Sequence, residues 1–213
     1  VAVEREGIPI LLHTHRANAI AAALIGAGKI SGLEGAAVLR AEVPLGRSRF
    51  DFLLKRDNKP FYLEVKSCTL AGRRIAMFPD AVTARGKRHL EELAALGRRG
   101  TACGVLFLVH WPHARYFLPD YHTDLAFART FLEAKRDLSI MAVALTWRPD
   151  LSLFPEVREI AAHQHVAHVH LRLLLEIDQR PPQLGGELPR ERGRIEHEPP
   201  VDPLGLVPPR HLA

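Results

Sequence analysis

The sequence predicts an α/β domain in which a mixed central sheet is flanked by helices. The first observation behind this prediction is the order of its elements, since strand-like runs alternate with helical patterns along the chain. The second is the run "ACGVLFLVH" (102–110), whose continuous apolar character is typical of a strand buried on both faces. The third is the pair Asp57-Asn58 between two apolar runs, because both residue types tolerate the positive φ of a hairpin turn.

The elements before this hairpin are a short strand, a helix and a second strand. Residues 8–14 read as the first strand, and the Ala-rich segment that follows reads as a helix ending at Gly28. Residues 35–43 read as the next strand and carry Glu42 near its end. These elements place an acidic side chain next to the hairpin.

The hairpin has one apolar face and one charged face if Asp57-Asn58 forms its turn. The apolar face pairs Phe50 with Val65, Phe52 with Leu63, and Leu54 with Phe61. The other face pairs Leu53 with Tyr62, Asp51 with Glu64, and Arg49 with Lys66. Directly opposed residues have Cβ atoms roughly 5 Å apart, so the carboxylates of Asp51 and Glu64 are expected to repel each other.

Two interpretations explain the facing carboxylates. On a solvated sheet face, water and salt screen the two charges. Alternatively, a divalent cation lies between Asp51 and Glu64, since Mg²⁺ takes oxygen ligands that commonly include one or two carboxylates. Lys66 shares a strand face with Glu64 and would then orient or deprotonate an attacking water, or stabilise charge on a phosphoryl group. Glu42 is either a third carboxylate ligand or an exposed acid at a strand end.

After the hairpin, whose second strand runs to about residue 69, the sequence predicts a basic connection over 71–80. Pro79 argues against a regular element there. A helix begins near Thr83 and stops at Gly97. The remaining predicted elements are the buried strand over 102–110, a helix over 124–137 and a strand over 139–147.

Arg85, Arg88 and His89 share one side of the helix that begins near Thr83, by their i, i+3 and i+4 spacing. They form either a solvated helix face or a row that holds phosphates, with His89 assisting proton transfer. Gly86 lies inside the same helix at a cost of about 1 kcal/mol relative to Ala, which indicates a close approach to another group.

Composition limits the classes of protein that the chain can belong to. The net charge is +5, and residues 1–160 carry 23 Lys and Arg against 17 Asp and Glu, so attraction for a polyanion would lie there. No apolar run reaches the roughly 18 residues of a membrane span, and the start lacks the features of a secretory signal. The two cysteines predict reduced, semi-buried strand residues of a cytoplasmic protein rather than a disulfide framework.

The character of the chain changes after about residue 160. We expect residues 1–34 to lead into the core and residues 35–160 to form the α/β domain. Residues 161–213 predict a helix followed by a Pro-rich disordered tail. The four histidines in "HQHVAHVH" do not share one side of a helix or strand, which argues against a metal site there.

Several segments resemble the sugar fermentation stimulation protein family. The matching segments are "HTHRANAI", "AEVPLGRSRFDFLL", "FYLEVKSCTL", "MFPDAVTARGKRHLEEL" and "FLPD". They cover roughly residues 8–148, and the segment that begins "FPDAVTARG" is highly specific. The resemblance implies a DNA-binding protein linked to the regulation of sugar, particularly maltose, utilisation. It also implies a restriction-endonuclease-like core of the PD-(D/E)xK type.

Carried onto this sequence, the nuclease motif of the family matches Asp51, Glu64 and Lys66. Glu42 and Arg49 match charged positions beside it, and Arg85 and His89 match the helix that borders the site. Asn18 matches the asparagine of the family's N-terminal helix, and the sequence supplies no role for it. Members of the family usually begin with an OB-type domain suited to nucleic-acid binding, so the resemblance implies that this chain begins after that domain.

Three functions remain open at this point. The first is a Mg²⁺- or Mn²⁺-dependent phosphodiesterase that acts on DNA through Asp51, Glu64 and Lys66. The second is a non-catalytic DNA-binding regulator whose salt-dependent affinity comes from phosphate contacts. Those contacts would be made by Arg49, Arg73, Arg74, Arg85, Arg88 and His89. The third is a truncated gene product with a nuclease-like fold and little function. The sequence leaves the oligomeric state open.

Overall fold

The structure is a computed structural model and describes residues 2–162 of the chain. The strands within these residues are β1 Ala2–Arg5, β2 Ile8–Leu11, β3 Ala37–Leu45, β4 Ser48–Arg56, β5 Lys59–Cys68, β6 Ile75–Phe78, β7 Ala102–Val109, β8 Tyr116–Pro119, β9 Ser139–Ala144, β10 Arg158–Glu159 and β11 Ala161–Ala162. The helices are α1 Ala17–Gly26, α2 Ala84–Arg98 and α3 Leu125–Ala134.

A mixed six-stranded sheet in the order β10-β9-β7-β5-β4-β3 forms the centre of the fold, as the sequence predicts. β3, β4 and β5 are antiparallel neighbours, which short hairpin connections allow. β5, β7 and β9 run parallel, and helical crossovers join them, as parallel pairing requires.

Two apolar clusters cover the two faces of this sheet. On β7, Phe107 belongs to one cluster and Leu108 to the other, and both are fully buried, so the prediction of a strand buried on both faces is confirmed. Buried residues of α2 and α3 complete the first cluster, and those of α1 complete the second. The sheet is therefore sandwiched between helices.

A three-stranded sheet, β11-β8-β6, was not predicted. β6 lies within the connection where Pro79 argued against a regular element, so that prediction was wrong. The strand is only four residues long and ends at Phe78, immediately before a cis peptide bond to Pro79. It pairs with β8, a distant and equally short strand, and sequence periodicity carries little information about such pairings.

The N-terminal strand is also shorter than predicted. β2 ends at Leu11 and pairs with β1, and Thr14–Arg16 forms a 3₁₀ turn that leads into α1. The prediction of a strand through residue 14 was therefore wrong. The N–H of Arg16 donates to the carbonyl of His13 at 3.1 Å, so the chain is already turning where an extended strand was expected.

Helices α2 and α3 begin with ordinary N-terminal caps, whereas α1 has no side-chain cap. The hydroxyl of Thr83 accepts from the N–H of Gly86 at 2.9 Å, and the Asp124 carboxylate accepts from the N–H of Phe127 at 2.9 Å. Asp124 also accepts from the N–H of Thr83 at 2.8 Å and so links the starts of α2 and α3. A Cβ on Gly86 would lie 2.9 Å from the Thr83 side chain and 3.4 Å from the Phe127 ring, which identifies the close approach that the sequence indicated.

Gly97 does not stop α2, which continues through Arg98. A Cβ built on Gly97 would overlap the main-chain oxygen of Asp137. We therefore expect Gly97→Ala to destabilise the protein by about 2–3 kcal/mol, measured by urea unfolding. Gly26→Ala is the matched control, since nothing lies within 4 Å of its Cβ position, and it should be neutral or slightly stabilising. Equal stability of the Gly97→Ala variant and the wild type would contradict this account.

Cys68 and Cys103 are free thiols on β5 and β7, as the sequence predicts, but both are fully buried and not semi-buried. Burial, with the nearby Asp80 charge, raises the pKa of the Cys68 thiol to about 12. None of the helices within residues 2–162 combines the length and the hydrophobicity of a membrane-spanning segment. The helix and disordered tail predicted over residues 161–213 lie outside the described residues, apart from β11.

Candidate active site

The β4–β5 hairpin carries the candidate site, and its predicted turn is confirmed. Asp57 and Asn58 have φ values of 49° and 61°, the left-handed region that such turns need. The predicted pairs Leu54 with Phe61, Leu53 with Tyr62, and Phe52 with Leu63 are all present.

The paired ladder ends at Phe52 and Leu63 within the described chain, so the predicted pairing of the next three positions is wrong. Val65 donates its N–H to Asp51 Oδ2 at 2.7 Å, and a side chain thus takes the donor that strand pairing would use. Phe50 leaves the predicted apolar face and packs edge-on against His89 of α2, with ring centroids 5.7 Å apart. The main-chain pairing of the two strands therefore stops before the acidic residues, so Asp51 and Glu64 are not ladder partners.

Asp51 is half-buried and is held from two sides. Besides the bond from Val65, its Oδ1 accepts from Asn18 Nδ2 of α1 at 2.8 Å. Burial and the charge of Glu64 raise the pKa of the Asp51 carboxyl, against the lowering effect of these two hydrogen bonds. The two carboxylates therefore remain electrostatically coupled although they are not a ladder pair.

Glu64 is 3% exposed and receives two hydrogen bonds on one oxygen. Its Oε1 lies 2.6 Å from Lys66 Nζ and 2.5 Å from His89 Nδ1. Burial acts to raise the pKa of Glu64, but the bond from His89 and the charge of Lys66 outweigh it and hold the pKa below its ordinary value. Glu64 is therefore ionised at neutral pH.

The other oxygen, Glu64 Oε2, is buried and has no hydrogen-bond partner among residues 2–162. A buried carboxylate oxygen without a partner is costly, because it has lost water and gained nothing in return. Oxygen donors from two coupled carboxylates are the kind that Mg²⁺, Mn²⁺ or Ca²⁺ accepts. Asp51 and Glu64 thus fit a hard divalent cation, with Oε2 as the oxygen still available.

His89 lies inside the protein at 1% exposure, and not on the exposed side of α2 with Arg85 and Arg88. Arg85 Nε donates to His89 Nε2 at 3.4 Å, which leaves the ring proton on Nδ1 for donation to Glu64. His89 is therefore arranged to fix Glu64. The sequence grouped it with the arginines because helical spacing does not tell which members of a row are covered by neighbouring elements.

Glu42 is placed in an exposed ion pair. Its Oε2 lies 2.7 Å from Arg49 Nε, and both side chains are at least half exposed. Within residues 2–162, no group of three His, Cys, Asp or Glu side chains lies close enough to hold a metal. The structure therefore brings Asp51, Glu64 and Lys66 together, while Glu42 and Arg49 pair with each other beside them.

Asn18 is the residue of the site whose role the sequence did not supply. The resemblance in the sequence points to this asparagine without a role, and the structure shows its amide donating to Asp51 across 33 residues of sequence. A long-range contact of this kind leaves no local periodic signal. Arg73 and Arg74, predicted for phosphate binding, are exposed on the connection before β6.

Comparison with known proteins identifies relatives of this chain. Residues 15–151 match the model of the "Sugar fermentation stimulation protein RE domain". A sugar fermentation stimulation protein homolog of Methanosphaera stadtmanae is 42% identical over 135 residues, which cover 63% of this chain and 56% of that protein. A homolog of Methanothermobacter thermautotrophicus is 34% identical over 152 residues, covering 71% of this chain and 63% of that protein.

Among solved structures, the chain is similar to Pyrococcus furiosus SfsA in complex with Ca²⁺. The TM-score is 0.72 at 26% identity, over 76% of this chain and 70% of that one. The aligned part of this chain spans 56–63% of the length of the two homologs. The family match covers more than half of the chain, so the chain belongs to the SfsA family of sugar fermentation stimulation proteins.

Proposed function

We propose that this domain binds DNA, holds Mg²⁺ or Mn²⁺ between Asp51 and Glu64, and hydrolyses DNA phosphodiester bonds there. The observation that carries the proposal is the buried Glu64 Oε2, which lacks a hydrogen-bond partner among the described residues beside a second, coupled carboxylate. The similar SfsA of Pyrococcus furiosus is a complex with Ca²⁺, and this supports a divalent cation, since Ca²⁺ takes oxygen ligands as Mg²⁺ does.

We also assign the core to the restriction-endonuclease-like, PD-(D/E)xK type. The support is the placement of the acidic residues and Lys66 on adjoining strands of a mixed sheet that has helices on both faces. Asp51 lies on β4, and Glu64 and Lys66 follow on β5 with one residue between them.

Each residue of the site has a separate task in this proposal. When bound, the cation would stabilise negative charge on the phosphate oxygens and activate water. Asn18 and the N–H of Val65 fix Asp51, and His89 fixes Glu64. Lys66, whose side chain is 14% exposed, supplies the positive charge nearest to Glu64 and stabilises charge that develops on the phosphoryl group.

DNA binding is assigned chiefly to exposed arginines around the site. Arg85 and Arg88 are exposed on α2, the helix that also supplies His89 to Glu64. Arginine matches phosphate oxygens with a planar fork of donors. Contacts of this type position DNA without reading its sequence, and they weaken as salt rises.

A second candidate function is non-catalytic DNA binding, as a regulator of sugar, particularly maltose, metabolism. The observation that favours it is the short ion pair between Lys66 Nζ and Glu64 Oε1, which uses the lysine charge to neutralise a buried carboxylate. Cleavage assays with Mg²⁺ or Mn²⁺ separate the two functions, because the first requires metal-dependent strand breaks and the second requires only retention of DNA. Absence of cleavage by folded, metal-loaded protein would reject the first.

Both functions predict a role for Arg85 and Arg88 in DNA retention. We expect Arg85→Ala/Arg88→Ala to weaken DNA binding roughly tenfold and to lower the slope of log affinity against log salt by about 1 per residue. Fluorescence anisotropy at several salt concentrations measures both quantities. Arg99→Ala/Arg136→Ala is the matched control, since it removes the same charge from exposed positions elsewhere. Equal affinity of the two double variants would contradict the assignment.

A further inference from the structure

A basic cavity lies apart from the residues of the candidate metal site. Its volume is about 400 Å³. Its lining includes four arginines and two aromatic residues, Arg73, Arg74, Arg115, Arg158, Trp111 and His113. We call it the arginine cavity.

Main-chain contacts between distant segments bring the first three arginines together. The carbonyl of Arg74 accepts from the N–H groups of Arg115 and Tyr116 at 2.7 and 3.1 Å. The indole Nε1 of Trp111 donates to the carbonyl of Arg73 at 3.3 Å. The connection between β5 and β6 is thus fixed against the connection between β7 and β8, and their cationic side chains line one cavity.

Arg158 is held at the cavity wall by carbonyl groups. Its Nη2 donates to the carbonyls of Pro112 at 2.5 Å and Ala114 at 2.6 Å. Burial and the neighbouring Arg115 charge lower the pKa of the Arg158 guanidinium. Like charges are therefore close enough to affect each other, although the main chain fixes their positions.

Carboxylates do little to balance this charge. Across residues 2–162, none of the four arginines forms an ion pair with Asp or Glu. Glu6 lines the cavity, but its Oε1 lies 3.7 Å from Arg5 Nε and so faces a cation of its own. A concave surface with four guanidinium groups and one already engaged carboxylate attracts an anion.

We propose that the arginine cavity binds a phosphate-bearing ligand at a site separate from Asp51 and Glu64. Guanidinium groups bind phosphate oxygens in pairs, and several converging arginines can share one phosphate. Small-molecule sites typically occupy roughly 300–1,000 Å³, so the volume accommodates more than the phosphate alone. The phosphate comes either from a free phosphorylated small molecule or from the backbone of bound DNA, and the DNA source rests on the proposed function.

Inorganic pyrophosphate is the probe, used without divalent metal so that the candidate metal site cannot hold it. Calorimetry should show binding to the wild type and a loss of roughly tenfold or more in affinity for Arg74→Met/Arg115→Met. Both side chains are exposed, and circular dichroism checks that the variant is folded. Arg99→Met/Arg136→Met removes equal charge outside the cavity and should bind as the wild type does. If the double variant fails to fold, Arg115→Met alone serves in its place.

Competition identifies the source of the phosphate. Displacement of a short DNA duplex by pyrophosphate from the wild type, but not from Arg74→Met/Arg115→Met, assigns the cavity to the DNA backbone. Pyrophosphate binding that leaves DNA bound assigns it to a free phosphorylated molecule. Glu64→Gln should keep pyrophosphate binding unchanged, so failure of the metal site does not affect this result. No pyrophosphate binding by the folded wild type, or equal binding by the variant and its control, would overturn the proposal.

Discussion

Replacing Lys66 with methionine is expected to lower metal-dependent cleavage of DNA by roughly 10²–10³-fold, the usual effect of removing one group that stabilises transition-state charge. Methionine keeps much of the volume of the lysine stem but has no charge and no donor for Glu64 Oε1. Asp51 and Glu64 remain in place, so binding of Mn²⁺ and of DNA should persist. Single-turnover cleavage, calorimetry and anisotropy on the same preparation separate these three quantities.

The control for Lys66 is Lys55→Met, which removes an exposed lysine from β4 and should leave cleavage unchanged. Loss of cleavage in both variants would indicate a general effect of charge on DNA binding. Full cleavage by Lys66→Met would show that the Lys66 charge is not needed for catalysis. Either result would contradict the role assigned to Lys66.

The second large effect is expected at His89. His89→Leu should lower the free energy of unfolding by about 3 kcal/mol, because the buried and ionised Glu64 loses the hydrogen bond that His89 Nδ1 donates to it. In the wild type the ring of Phe50 packs against the imidazole of His89, and leucine would keep an apolar contact there. Urea unfolding at neutral pH measures the change.

A double-mutant cycle separates the lost hydrogen bond from lost packing. In the Glu64→Gln background no buried charge remains to be satisfied, so His89→Leu should cost about 1–2 kcal/mol less there. An equal cost in both backgrounds would assign the whole effect to packing around Phe50. That result would contradict the role of His89 as the residue that fixes Glu64.

The hairpin shows how far local sequence rules reach. Asp57-Asn58 predicts both the turn and the first pairs of the ladder, because turn chemistry fixes strand register nearby. The same rules fail at Asp51, where the side chain and not the main chain takes the N–H of Val65. Side-chain competition for a strand donor depends on a three-dimensional setting that includes Asn18, and the pairing pattern holds no information about it.

Burial of charged groups was the least predictable part of the site. Helical spacing correctly predicted that His89 is a neighbour of Arg85 on α2. It did not predict that His89 is buried while Arg85 and Arg88 are exposed. The covering of His89 by Phe50 depends on where β4 crosses α2, which periodicity does not encode. The arginine cavity has the same origin, since Arg115 and Arg158 meet Arg73 and Arg74 only through contacts between distant connections.

Calorimetric titration of Mn²⁺ into the wild type, Glu64→Gln and Glu133→Gln tests the central claim most directly. Glutamine keeps the shape of Glu64 but removes its charge, and Glu133 is an exposed glutamate on α3 that serves as the control. We predict that the wild type and the control bind Mn²⁺. The affinity of Glu64→Gln for Mn²⁺ should fall by more than the roughly 10–100-fold that loss of an outer-shell partner costs. No binding by the folded wild type, or equal binding by all three proteins, would contradict a metal site at Asp51 and Glu64.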